Sequence, residues 1–593
     1  MYRERALRFQ MESTALQQRY NRLAMVRLLV FVAGVLAIVY CWGLHWLAGV
    51  AATLLFLGGF YRFIKRHQRI QEESRHLGRL GRINTYEAAV AEQLFVDKAL
   101  WSDGAEYLDP DHPYSLDLDL FGPYSFFQYA NRCGTSLGRR VLADYLRKGA
   151  SPGEIDARQT AIGDLNGRLD WRQHFQAYGL ETKDDPKHIE LLNQWLDDAP
   201  FVSRSVGLKA ALYLTPVWVT AGLIIWALYL PWYLGILFLA PPAMILRRTL
   251  DRVNRAHQRT ALAGDALSYY ARLIAHIEEG VFESPKLQAL QAGLIRGDGL
   301  ASTGIARLSY IISQLNVRYN AFIVFLNLFA LWDLQWIYRL EKWKEQHRHS
   351  LPAWFGVLAD FEALSSLATL YTNNPDWTFP VIHSSSELVG DALGHPLIHT
   401  SRRVTNDLQM PTAGHIKLIT GSNMAGKSTF LRTVGLNIVL AMAGAPVCAG
   451  RLALPLLKVY TSMRTQDALH ESTSSFYAEL KRLQFIIEAV ERGDNVFFLL
   501  DEILKGTNSR DRHTGSKALI RQLIQSGGGG LIATHDLELG ALESQYDGAI
   551  ENLCMEVAIR DGELFFDYKL DKGVSQSFNA TLLMKNMGIR IEE

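Results

Sequence analysis

The sequence predicts a multidomain chain: two transmembrane helical hairpins set into a mostly α-helical body, followed by a C-terminal α/β domain of the P-loop type. Three observations predict it. Residues 28–61 and 210–246 contain no Asp, Glu, Lys or Arg. From about residue 384 onward, short apolar runs suited to strands alternate with helical patterns. Residues 414–429, GHIKLITGSNMAGKST, read as a strand, a glycine-rich loop and the start of a helix. At 593 residues the chain exceeds what one hydrophobic core organises.

The bulk composition excludes little. A formal net charge of +1 and a pI near 7.8 give no global nucleic-acid signal, so a DNA-binding surface would be a local patch. Cys41, Cys133, Cys448 and Cys554 lie far apart and form no metal-ligand spacing, which suggests a reducing compartment and no structural zinc.

In the first uncharged run, Gly43-Leu44-His45 falls in the middle, and each half is close to the ~17 residues at the lower limit for a span. Arg3, Arg5, Arg8, Arg19, Arg22 and Arg27 precede it, and Arg62, Lys65, Arg66 and Arg69 follow it, which places both ends in the cytoplasm. The run is too long and doubled for a signal peptide. The second run lies between Lys209 and Arg247-Arg248, with Pro231 where a turn would fall, and gives a second hairpin of the same orientation. The apolar patch 321–332 is shorter, followed by Asp333, and reads as a buried core helix.

Between the hairpins, 76–205 is soluble and mostly helical, broken at Gly122-Pro123 and Ser151-Pro152-Gly153. Residues 251–340 read as long helices, 341–350 as a charged surface or bend, 357–372 as an amphipathic helix and 373–380 as a connector. The tetraglycine 527–530 reads as a flexible loop. The expected domains are 1–75 (basic N-terminus and hairpin), 76–205 (helical, first part), 206–250 (second hairpin), 251–380 (helical, second part) and 381–593 (nucleotide-binding).

The chemistry lies in the last of these. Gly421, Ser422, Asn423, Met424, Ala425, Gly426, Lys427, Ser428 and Thr429 form the expected nucleotide-binding loop. Glycines turn backbone N–H groups toward phosphate oxygens, Lys427 adds a mobile positive charge, and the Ser428 hydroxyl suits Mg²⁺. The strand 495–500 ends in Asp501, placed to hold Mg²⁺, and Glu502, placed to orient and polarise an attacking water. The strand 531–534 presents His535, suited to sensing a γ-phosphate. The serines of 471–479 open a helix: either an ordinary N-cap or a helix N-terminus offered to a phosphate.

Together, GSNMAGKST, the S-S-F-x-x-E of Ser474 to Glu479, LLDEILKGTNSRD at 499–511 and ATHDLEL at 533–539 resemble the ATPase domain of MutS-type proteins. The family's usual loop is GPNMGGKST, so Ser422 and Ala425 are departures that leave the phosphate cradle intact. Upstream, 135–142 with Arg158-Gln159 is similar to the start of the family's helical core, and 356–372 to the end of its lever helices. The resemblance implies a MutS-like core/lever body, an ABC-type ATPase domain, ATP and Mg²⁺ as cofactors, and a homodimer with ATP between two ATPase domains. Ser474 would act in trans on the partner's γ-phosphate.

The sequence departs from the family elsewhere. It has no Phe-x-Glu wedge, a membrane hairpin stands where the mismatch-reading domain would be, and the second hairpin takes the place of a DNA clamp. The chain also stops without room for the C-terminal helix-turn-helix of some members. The position where the family stacks an aromatic on adenine aligns with Arg403.

The expected function is a membrane-anchored MutS-like ATPase with Glu502, Lys427 and His535 as catalytic groups. It would bind mismatched, branched or irregular DNA and close around it with ATP. Four transmembrane helices would hold it in the cytoplasmic (inner) membrane, both termini and the ATPase domain facing the cytoplasm. The alternative is a membrane-associated mechanochemical ATPase acting on a protein or lipid partner. A transporter is disfavoured by uncharged spans, and a vestigial tether by the intact Lys427, Asp501, Glu502 and His535.

Overall fold

The computed structural model describes residues 1–92, 94–95, 100–181, 185–296, 299–422, 424–464, 475–546, 548–560 and 563–575. It is mostly helical, with its main sheets in the C-terminal region.

The first uncharged run forms the tip of a helical hairpin, α1 (Tyr2–Leu44) and α2 (Trp46–Ala91), which turns at the extended residue His45. The helices outrun the uncharged segment at both ends because their charged flanks remain helical. A Cβ on Gly34 would lie 2.0 Å from the Phe56 ring and one on Gly49 2.5 Å from Trp42, so these glycines permit the close approach of the two helices. At the tip Leu28, Leu36, Val39, Leu54 and Leu55 are exposed.

The base of the hairpin is polar and docked. Ser13 Oγ donates to the Ser74 carbonyl at 2.8 Å and Ser74 Oγ to the Ser13 carbonyl at 2.9 Å. Beyond them α2 shares a buried cluster with α3 (Ser136–Arg147) and α4 (Leu169–Gly179) and packs directly on α4. There Arg132 donates to both Glu87 oxygens, at 2.5 and 3.0 Å, with both side chains almost fully buried.

The second apolar run departs from a symmetric hairpin. Its first arm is α5 (Val206–Tyr229), which ends before Leu230 and Pro231. The return begins as a 3₁₀ segment, Trp232–Leu239, and becomes α-helical only in α6 (Ala240–Thr260), with prolines in its first turn. Pro231 supplies no N–H, and Pro241-Pro242 start a new helix without continuing an old one.

Helix α7 (Ala321–Ala330) corrects another expectation: it is not a core helix but lies outside, with Phe322, Phe325 and Phe329 exposed. Next, α8 (Trp332–His347) takes up most of the run expected as a charged surface. Glu341 is buried there because it accepts from the N–H groups of Phe201 (2.7 Å), Val202 (3.1 Å) and Ser203 (2.6 Å). Lys344 is buried because it donates to the carbonyls of Trp195 (2.9 Å) and Asp198 (2.7 Å).

Helix α9 (Ser350–Asn373) is buried on nearly all sides, not amphipathic. Among the described residues four helices are long and apolar enough to cross a bilayer: α1, α2, α5 and α9. Their apolar stretches are 0%, 6%, 22% and 78% buried in the protein, so α9 is a core element, and α6 is not among the four.

The C-terminal region is built on a six-stranded sheet. Its strands are β1 (Ile416–Gly421), β2 (Lys458–Ser462), β3 (Val496–Asp501), β4 (Gly529–Thr534), β5 (Ile550–Met555) and β6 (Asp571–Lys572), in the order β6-β5-β1-β4-β3-β2. All neighbours are parallel except β5 and β6. Every residue of β1, β3 and β4 is buried, as continuous apolar strands covered on both faces require. Gly529 and Gly530 belong to β4 and not to a loop: a Cβ on Gly530 would lie 2.1 Å from the Phe498 carbonyl oxygen. Helices α10 (Lys427–Ala443), α11 (Ser475–Glu491) and α12 (Ser509–Gln525) connect the strands. A four-stranded sheet, including Glu387–Leu393 and Asn406–Pro411, stands beside them.

Glu87→Ala leaves the Arg132 guanidinium buried without its carboxylate, a loss of about 3–5 kcal/mol. Thermal unfolding of the detergent-solubilised chain, followed by tryptophan fluorescence, should show a clearly lowered midpoint, with a smaller loss for Glu87→Gln. An unchanged midpoint in Glu87→Ala would contradict this role for the pair.

Candidate functional site

Parallel pairing brings the candidate residues together. β4 lies between β1 and β3, with Thr534 opposite Thr420 and Ala533 opposite Asp501. The C-terminal ends of the three strands therefore share one edge, from which the glycine-rich loop, the Asp501-Glu502 pair and His535 all emerge.

The loop needs two of its glycines for conformation. Gly421 has φ +148°, and a Cβ there would sit 2.5 Å from the Met555 carbonyl oxygen. Gly426 has φ +100° and starts α10. Ser422, Met424 and Ala425 lie along the loop, with the Ala425 N–H donating to the Ser422 carbonyl at 3.2 Å, and Ser428 and Thr429 occupy the first turn of α10. Asn423 lies outside the described residues.

Lys427 is buried, and its Nζ donates to the carbonyls of Gly421 (2.8 Å) and Ser422 (2.9 Å). Burial lowers its pKa to about 8, against the opposing pull of Asp501 and Glu502. Glu502, at φ +51°, lies 2.7 Å from His535 Nε2 and 3.4 Å from Lys505 Nζ. The hydrogen bond from His535 outweighs partial burial and holds the Glu502 pKa down at about 2. The same histidine nitrogen is 3.4 Å from Lys427 Nζ, so lysine, histidine and glutamate are contiguous.

Asp501 is buried at the end of β3, and among the described residues nothing hydrogen-bonds its Oδ1. A buried carboxylate oxygen without a partner is a donor suited to a hard cation.

Ser474 lies outside the described residues, but both flanks of its segment are held by the helical body. On one side, Asp117 accepts from Thr461 Oγ1 (2.7 Å) and from the N–H groups of Met463 (3.1 Å) and Arg464 (3.0 Å). On the other, Arg482 of α11 donates to the Thr461 carbonyl at 2.9 Å and the His112 carbonyl at 2.7 Å. Sequence reading missed Asp117, since a lone acid far from any motif gives no signal.

Glu479 accepts from the Leu504 N–H, which ties the serine-rich helix to the turn after Glu502. Beyond Glu502 and His535 is a cavity of about 730 Å³ lined also by Lys505, Arg512, His513 and Asp536, with His513 Nδ1 2.6 Å from Asp536 Oδ2. The proximity of Asp536 to His513 depends on α12 packing and was not visible in the sequence.

Arg403 is occupied elsewhere: its Nε donates to the Ile398 carbonyl at 3.0 Å and its guanidinium lies over Trp377. An aromatic that does approach the loop is Tyr568, whose ring carbon would lie 2.9 Å from a Cβ on Gly426.

Residues 417–587 match MutS domain V. The DNA mismatch repair protein MutS of Aquifex pyrophilus is 32% identical over 221 residues, 37% of this chain and 25% of that protein. The protein of the same name from Thermotoga maritima is 32% identical over 238 residues, 39% of this chain and 29% of that protein. The matched part thus spans about a quarter to a third of these relatives. The C-terminal region of this chain, residues 417–587, is a domain V of the MutS family.

Proposed function

We propose that this chain is a membrane-anchored ATP hydrolase of the P-loop type whose nucleotide-driven closure acts on mismatched, branched or otherwise irregular DNA. The observation that carries the ATPase part is the convergence of Lys427, Glu502 and His535 beside the unpartnered Asp501 oxygen. The DNA part is supported by the likeness to proteins named for DNA mismatch repair, and the membrane part by the exposed apolar lengths of α1, α2 and α5.

In this reading the loop N–H groups and the α10 N-terminus bind the phosphates, and Lys427 exchanges its carbonyl partners for phosphate oxygens. Ser428 and Asp501 would hold Mg²⁺, which neutralises phosphate charge when bound. Glu502 stays ionised because His535 donates to it, and so accepts a hydrogen bond from the attacking water and aims it at the γ-phosphorus. As the new P–O bond forms and the bond to the bridging oxygen breaks, Glu502 receives the water proton. Its low pKa makes it a weak base, but a loose phosphoryl transition state depends mainly on positioning. Ser474 of a second copy would contact the γ-phosphate from across a dimer interface. Hydrolysis removes that contact and reopens the dimer.

The second reading, a mechanochemical ATPase acting on a protein or lipid partner, is favoured by the same exposed apolar helices.

The pH dependence of binding tests the lysine. In the nucleotide-free protein Lys427 loses its proton as pH rises through about 8. The protonated form binds phosphate, so affinity for a fluorescent ATP analogue should fall above that pH, at most about tenfold per unit. Lys427→Arg should remove this dependence and Lys427→Ala should weaken binding throughout. A flat wild-type profile from pH 6.5 to 9.5 would contradict it.

The DNA part is tested by the ATPase rate of the full chain in lipid nanodiscs at low salt, with no DNA, homoduplex, mismatched duplex or branched DNA. Stimulation by the irregular forms above homoduplex is expected. Absence of DNA binding at low salt, where phosphate contacts are strongest, would sink that reading and leave the second.

A further inference from the structure

The ten residues of α7, AFIVFLNLFA, carry no charge, yet the helix faces outward. Phe322, Phe325 and Phe329 are 79%, 62% and 37% exposed and, at spacings of three and seven, share one face. Val324 and Leu326 are also exposed. Exposed single apolar residues are ordinary, but a run of five on one short helix is a contiguous patch. The other side of α7 lies on α5 and α6, the elements of the second apolar run. On α5 Leu214, Val217, Ile224, Ile225 and Leu228 are exposed too, so the patch continues that surface.

The ends of α7 are tied to one place. Arg318, before it, and Asp333, after it, form an ion pair at 3.0 Å with both side chains less than a tenth exposed. Asn320 Oδ1 caps the Phe322 N–H at 3.1 Å, and Asn327 Oδ1 accepts from the Asp333 N–H at 2.8 Å. The chain reverses at Leu331, whose φ is +52°. At about 15 Å, the helix is about half the length needed to cross a ~30 Å hydrocarbon core.

We propose that α7 is a re-entrant helix that dips into the lipid bilayer beside α5 and returns to the side it came from. Phe322, Phe325 and Phe329 meet the acyl chains, and exposed Tyr319 lies at the headgroup level. The neighbouring α6 supplies the charge that fits this partner. It exposes Arg247, Arg248, Arg252 and Arg255 with Asp251 as the helix's one acid, a composition suited to anionic headgroups. Backbone polar groups pose no obstacle, because a capped helix packed on protein satisfies them internally. The proposal rests on the membrane reading above and adds a third insertion to it.

The test uses the full chain with Cys41→Ser, since Cys133, Cys448 and Cys554 are buried. A nitroxide is attached at Phe325→Cys, at Ile225→Cys on α5, or at the exposed Gln409→Cys, in phosphatidylcholine/phosphatidylglycerol nanodiscs. Collision with oxygen, which partitions into lipid, is compared with collision with a water-soluble nickel chelate. The expected result is an oxygen-to-nickel ratio at 325 that matches the one at 225 and is several-fold above the one at 409. A ratio at 325 like that at 409, with 225 still oxygen-favoured, overturns the re-entrant helix and leaves the membrane reading standing. Nickel-favoured values at both overturn the two together. Dipolar broadening at 325 would mean that a second copy covers the patch, and would also overturn the proposal.

Discussion

Because α9 is buried nearly all round, each polar side chain it carries must find its partner inside the protein. Those partners come from α1, α2, the turn before α3, and α4. Glu362 accepts from the N–H groups of Gly134 and Thr135 at 2.9 and 3.1 Å and so holds the start of α3. Thr369 and Thr372 accept from Arg172 of α4 at 2.7 and 2.6 Å. Asn373 accepts from the Tyr2 hydroxyl at 2.7 Å and donates to Glu87 at 2.7 Å, which ties both helices of the first hairpin to the same point. A few residues later the chain enters the C-terminal sheets. The base of the apolar hairpin is thus held at the last turn of α9, just before the chain enters those sheets.

A second set of contacts links the helical body to the site itself. Asp117 and Arg482 grip both sides of the segment that carries Ser474. Arg158 donates to the Ala443 carbonyl at the end of α10, whose first residue is Lys427. The two ends of α10 therefore meet the glycine-rich loop and the helical body.

The site was legible in the sequence because its chemistry is local. A loop that turns N–H groups inward requires glycine where φ is positive, as at Gly421 and Gly426, and strands that end at one edge display their next residues together, as with Glu502 and His535. The errors fell where the sequence signal is the same for different environments. An uncharged ten-residue run looks alike whether protein or something else covers it, so α7 was misplaced. Polar residues along α9 suggest a wet face, but Glu362 and Thr369 are buried with partners from far along the chain. Glu341 and Lys344 sit in a charged run for the same reason: their partners are backbone groups nearly 140 to 150 residues away in sequence. The tetraglycine 527–530 reads as a loop, although glycine is also what a strand needs where, as at Gly530, Phe498 leaves no room for a side chain.

The account turns on Glu502, held ionised by His535 at the end of β3. The most direct measurement is single-turnover release of γ-phosphate by Glu502→Gln, with ATP binding measured on the same preparation. The account predicts near-normal ATP binding and hydrolysis slowed by about 10² or more. A wild-type hydrolysis rate in Glu502→Gln would contradict it, since the water would then be oriented by some other group.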